Sequence, residues 1–81
     1  MTADQVQERI LDALPGASVQ VRSGDTVHFE ARVIAAQFEG LRSVRRHQLV
    51  YAALGTSVGD DIHALSLDTL TPGEWDALRR G

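Results

Sequence analysis

Residues 17 to 35 alternate between apolar and polar side chains, and the alternation breaks once, at Ser23-Gly24-Asp25-Thr26. A period of two is the signature of a strand with one buried face. Ala17, Val19 and Val21 face one way and Ser18, Gln20 and Arg22 the other. After the break Val27, Phe29, Ala31, Val33 and Ala35 take the apolar side, with His28, Glu30 and Arg32 opposite. Two half-buried strands joined by four turn-forming residues predict a β-hairpin. A hairpin is marginal alone, so its apolar face needs a cover.

The flanking segments supply that cover. Thr2 and Gln5 have the spacing of a capping box, and Val6, Ile10, Leu11 and Leu14 follow at helical intervals up to Pro15-Gly16. Phe38-Glu39-Gly40 reads as a turn or a single helical turn. Ser43 is placed to cap a helix running to Leu54, with Val44, Val50, Ala53 and Leu54 as its core positions and Gly55 as its stop. Ser57 to Asp61 forms a further short turn of helix, and Ile62 to Leu67 a third strand. Thr71-Pro72-Gly73-Glu74 is a second capping box with proline at the first helical position, leading into a short helix anchored by Trp75 and Leu78. The expected order is α-β-β-α-(α)-β-α. It gives one α+β domain over residues 1–81, a three-stranded sheet with helices on one face.

Composition narrows the chemistry. The 81 residues carry a formal charge of −3, which gives no long-range attraction to nucleic acid or an anionic membrane. All eight basic residues are arginine. There is no cysteine, so the chain has no disulfide and no thiolate of its own. No apolar run approaches a membrane span, and the early acidic residues do not read as a signal peptide, so a cytoplasmic location is expected.

Catalysis finds little support. Ser57, Ser66 and Thr69 lie near His63 in sequence without a base-and-orienter spacing, and Asp60-Asp61 reads as a solvated pair before a strand. The chain is expected not to be an enzyme. His63 opens the third strand on the same parity as Leu65 and Leu67. Imidazole is a common metal ligand, but one histidine is not a metal site. His28 lies on the polar face of strand two and Asp25 in the turn; both would lie near His63 if strand three begins beside the hairpin. Arg42, Arg45, Arg46 and His47 form a short basic stretch, read either as a solvated helix face or as a surface for a partner or nucleic acid.

Taken jointly, His28-Phe29, Phe38-x-Gly40, Arg46-His47 with Val50-Tyr51 and Leu54, Ile62-His63-Ala64 and Thr71-Pro72-x-Glu74-Trp75 resemble the BolA family, and within it the IbaG-like subgroup. The resemblance covers nearly the whole chain. It implies a class II KH-like fold with a mixed sheet. It also implies a partner, a monothiol glutaredoxin of the Cys-Gly-Phe-Ser type, with which a [2Fe–2S] cluster is shared. In such pairs the glutaredoxin cysteine and a glutathione thiol hold one side and a histidine of the BolA-like protein the other. His63 stands at that position, so no cofactor is expected in the isolated chain, a monomer or weak homodimer when alone. Some members add a cysteine or histidine from the hairpin loop. Here the loop position is Asp25, and the second ligand falls to Asp25 or His28. Imidazole in place of thiolate raises a cluster's potential and makes ligation pH-dependent. The family resemblance carries a second role, a DNA-binding transcriptional regulator acting through the helix bearing Arg42, Arg45 and Arg46.

Overall fold

A computed structural model describes residues Met1–Gly81. Helix α1 spans Ala3–Ala13, strand β1 Ser18–Arg22 and strand β2 His28–Ile34. A 3-10 turn at Ala36–Phe38 leads to α2 (Ser43–Leu54) and the single-turn α3 (Ser57–Asp60). Strand β3 (Ala64–Leu70) and α4 (Pro72–Arg80) complete the chain. The sheet order is β1-β2-β3. The β1–β2 pair is antiparallel, from Ser18↔Ile34 to Arg22↔Glu30, and β2–β3 is parallel, from His28↔Ala64 to Ile34↔Leu70. The expected α+β domain with a mixed three-stranded sheet is the observed one.

The alternation of residues 17–35 places Val19, Phe29, Ala31, Val33 and Ala35 in the core, where Val6 and Ile10 of α1 and Val50 and Leu54 of α2 cover them. Phe38 and Ile62 fill the ends of this layer, both fully buried. Both capping boxes form. Thr2 Oγ1 accepts from Gln5 N–H while Gln5 Oε1 accepts from Thr2 N–H, and Thr71 and Glu74 make the same reciprocal pair. Gly40 and Gly55 take positive φ, 77° and 59°, where a side chain would be strained.

Several expectations are corrected. Ser43 is not the cap of α2. Arg42 occupies the N-cap with no side-chain hydrogen bond, and Ser43 is already helical. Val44 is 67% exposed. It lies about 120° around the helix from Val50, off the stripe that runs through Arg46, Val50 and Leu54. Strand β3 starts two residues late because Ile62 belongs to the preceding loop, where its N–H donates to Ser57 O at 2.9 Å and its carbonyl accepts from Gly59 N–H at 2.8 Å.

Trp75 and Leu78 do not anchor a core. No residue of α4 is buried, and Leu78 is 62% exposed. The half-buried Trp75 ring instead lies under the guanidinium of Arg32, 4.8 Å from its centroid, with Arg79 at 5.8 Å. Arg32 belongs to the polar face of β2. Helices α1 and α2 thus cover one face of the sheet, and Trp75 meets the other through a cation–π contact.

Candidate functional site

The site is built at the end of the sheet where β2 and β3 begin. The parallel register sets His28 beside Ala64, and His63 N–H donates to Val27 O at 2.8 Å. Strand three therefore does start beside the hairpin turn. His63 itself sits in a bend rather than in the strand, and its side chain is exposed. Parity had put it with Leu65 and Leu67 toward the core; the bend removes it from that alternation and Ile62 takes the buried place. The result is a pinned backbone carrying a free imidazole.

Asp25 and His28 form a compact unit beside it. Asp25 Oδ1 accepts from the N–H groups of Val27 at 3.0 Å and His28 at 2.8 Å, and Oδ2 accepts from His28 Nδ1 at 2.6 Å. These bonds, the His28 backbone first, hold the Asp25 carboxyl far below the usual carboxylate range. Ser23 Oγ donates to His28 O at 2.7 Å and accepts from Thr26 N–H at 2.9 Å. The network fixes Thr26 at φ 63°, in the left-handed region that a β-branched residue rarely enters.

Both oxygens of Asp25 are thus engaged within the turn. Its carboxylate orients His28 in the way a second-shell acid orients a metal-binding histidine. Nδ1 donates to Asp25, which leaves Nε2 as the ring nitrogen without a protein partner. Of the two residues named from the sequence as a possible second ligand, Asp25 bonds through both oxygens within the turn and the His28 ring bonds only through Nδ1. No group of three His, Cys, Asp or Glu residues is close enough to hold a metal ion, so His63 does not join Asp25 and His28 in a closed cage. The donors gathered here are too few to close a metal centre from this chain alone.

The basic stretch divides. Arg46 is only 11% exposed. Its Nε donates to Leu41 O at 2.8 Å and its Nη1 to Thr69 O at 3.2 Å. The two Nη atoms grip the Glu74 carboxylate at 2.6 and 3.2 Å, and the guanidinium stands 5.8 Å from the Phe38 ring. The Arg46 hydrogen bonds lower Glu74 to about 2, and Glu74 raises Arg46 in turn. Sequence reasoning placed Arg46 on the surface, either on a solvated helix face or as part of a binding patch. The structure makes it an internal clamp between α2, β3 and α4. The clue in the sequence was Glu74, the acid of the second capping box, which doubles as the arginine's partner. Arg42 and Arg45 are exposed and form no ion pair, and His47 is half-buried.

A sequence model of a protein family described as BolA-like protein matches residues 8–74. The chain belongs to the BolA family. Among curated BolA relatives, it is 36% identical to the acid stress protein IbaG of Escherichia coli K12 over 81 residues, covering 99% of this chain and 95% of that one. It is 41% identical to the DNA-binding transcriptional regulator BolA of Haemophilus influenzae over 54 residues, 67% of this chain and 52% of the relative. Human BolA-like protein 1 is 42% identical over 55 residues, 68% of this chain and 40% of the human protein, so the match spans about two fifths of that relative. Among solved BolA structures, a Bol-like protein from Babesia bovis superposes with TM-score 0.81 at 34% identity, covering 99% of this chain and 95% of that one. The BolA domain of SufE1 from Arabidopsis thaliana also gives 0.81, at 26% identity over 89% of this chain and 93% of that domain. No helix of this BolA chain is long and apolar enough to cross a membrane.

Proposed function

We propose that this chain is an adaptor that pairs with a monothiol glutaredoxin of the Cys-Gly-Phe-Ser type and lends His63 to a shared [2Fe–2S] cluster, in iron–sulfur trafficking or iron regulation. The observation that carries the reading is His63 itself. It is exposed on a backbone pinned to Val27, in a chain without cysteine and without three ligands in one place. Such a residue fits a shared centre, to which the partner and glutathione bring the sulfur ligands. His28, with Nδ1 held by Asp25, is the second donor this end of the sheet offers. The BolA domain of SufE1 lends support, because there the same fold serves as one domain of a larger protein. Mixing the chain with a monothiol glutaredoxin, glutathione and iron should give a coloured heterocomplex whose visible circular dichroism differs from that of the glutaredoxin alone. Identical spectra with and without the chain would end this reading.

A second reading is a DNA-binding regulator, the role named for the Haemophilus influenzae relative. Exposed, unpaired Arg42 and Arg45 at the start of α2 favour it. Two cations on a chain of net charge −3 predict weak, steeply salt-dependent binding. Retardation of duplex DNA by the free chain at physiological salt tests it, and no retardation below the protein's solubility limit would discard it.

A further inference from the structure

The sheet has two edges, and β3 forms one of them. Two hydrogen bonds fix which backbone groups of β3 point inward. Ala64 N–H donates to Val27 O, and Leu70 O accepts from Ala35 N–H, so the even residues of β3 bond to β2. By the alternation of a parallel ladder, the N–H and C=O groups of Leu65, Leu67 and Thr69 point away from the sheet. Only the far end is closed, where Arg46 Nη1 donates to Thr69 O. The stretch of Leu65 to Leu67 is left as a template for another strand, and it opens directly at His63.

Three further features mark this edge. Leu65 and Leu67 lie on the helix-covered side by register with Phe29 and Ala31, yet they are only partly buried. The strand also lacks the usual guards against edge pairing: it has no proline, no lysine or arginine and no bulge across seven residues. Its one charge, Asp68, is turned to Arg32 at 3.2 Å. The opposite edge, β1, is shorter, ends in Arg22 and is separated from β3 by β2.

We infer that the partner docks by adding an extended strand to the β3 edge, bonding to the backbone of Leu65 and Leu67. Its alternate apolar side chains continue the half-covered leucine layer. The occupant is defined by chemistry: an extended polypeptide with apolar residues on the helix side and polar residues beside Ala64 and Ser66. Arg46 stops the added strand from extending over the far end, and this holds the partner at the His63 end. The inference rests on the adaptor reading above, since it names the surface by which the second ligand carrier is brought to His63.

Amide hydrogen exchange by NMR tests it on the full chain with an iron-free monothiol glutaredoxin. In the free chain the amides of Leu65 and Leu67 should exchange at nearly unprotected rates, while those of Ser66 and Asp68, bonded to β2, are slow. In the complex Leu65 and Leu67 should slow by about ten-fold or more. Leu67→Lys should weaken the complex by about ten-fold while circular dichroism of the free chain stays native; the exchange data decide if that variant unfolds. A complex that forms with Leu65 and Leu67 as fast as before would overturn the edge assignment and leave the adaptor reading standing. Absence of any complex would remove the adaptor reading and this occupant with it. Slowing in the free chain that grows with its concentration would give the edge to a second copy and overturn the inference.

Discussion

Replacing Arg46 by alanine should destabilise the fold far more than a surface arginine would. The guanidinium makes four hydrogen bonds to three residues and is 11% exposed. Hydrogen bonds involving a charged group contribute about 1.5–3 kcal/mol each at most. They are not additive here, because Glu74 is 48% exposed and regains water when released. The Leu41 and Thr69 carbonyls, both partly covered, lose their donor without full rehydration. The net cost is about 2–3 kcal/mol, and in a domain this small that lowers Tm by roughly 10–20 °C. Urea denaturation followed by circular dichroism, with Trp75 fluorescence as a second probe on α4, measures it. Arg46→Lys should recover less than half, because an ammonium cannot grip the carboxylate in two places and reach both carbonyls. An Arg46→Ala chain within about 0.5 kcal/mol of wild type would refute the clamp and return Arg46 to the solvated surface.

Glu74 gives a pH counterpart. Its folded value is lowered to about 2 from an ordinary value of about 4.5, so its contribution is fully present above about 4.5 and is lost as pH falls toward 2. Glu74→Gln should flatten the acid limb of the stability profile, and an unchanged limb would contradict the pairing. Asp25, also lowered, acts in the same direction at still lower pH. Trp75→Ala should cost about 1–2 kcal/mol in urea denaturation, the loss of a half-buried ring and its cation–π contacts, rather than the ~3–5 kcal/mol of a core aromatic; a loss in the core range would restore the packing expected from sequence. Arg42→Glu with Arg45→Glu should leave Tm within about 2 °C, since neither is paired, while abolishing any DNA retardation; retardation that survives would clear these residues of a DNA role.

Much of the fold was legible because its local signals agree. The alternation around Ser23–Thr26 gave the hairpin, and the two capping boxes gave the starts of α1 and α4. The failures arise where tertiary context overrides pattern. Val44 and Leu78 are apolar but lie off the buried stripes, and Trp75 finds cations in place of a core. Arg46 looked like one of three solvated arginines because its partner, Glu74, lies 28 residues away. That strand three begins beside the hairpin turn, near Asp25 and His28, was offered by the sequence as one arrangement, and the register shows it. That Asp25 bonds to His28 through both of its oxygens depended on the turn geometry, which spacing alone does not encode.

The adaptor account stands or falls on His63. The His63→Ala chain should fold like wild type, because an exposed imidazole in a bend contributes little packing. It should still bind an iron-free monothiol glutaredoxin through its surface. Reconstituted with glutathione and iron, its heterocomplex should show a labile cluster with altered visible absorption and circular dichroism, whereas His47→Ala should match wild type. His28→Ala distinguishes the second donor: a comparable spectral change there makes it a ligand, and Asp25→Asn should then produce a weaker version of it. A cluster spectrum in the His63→Ala complex indistinguishable from wild type, at equal cluster occupancy, would contradict the account.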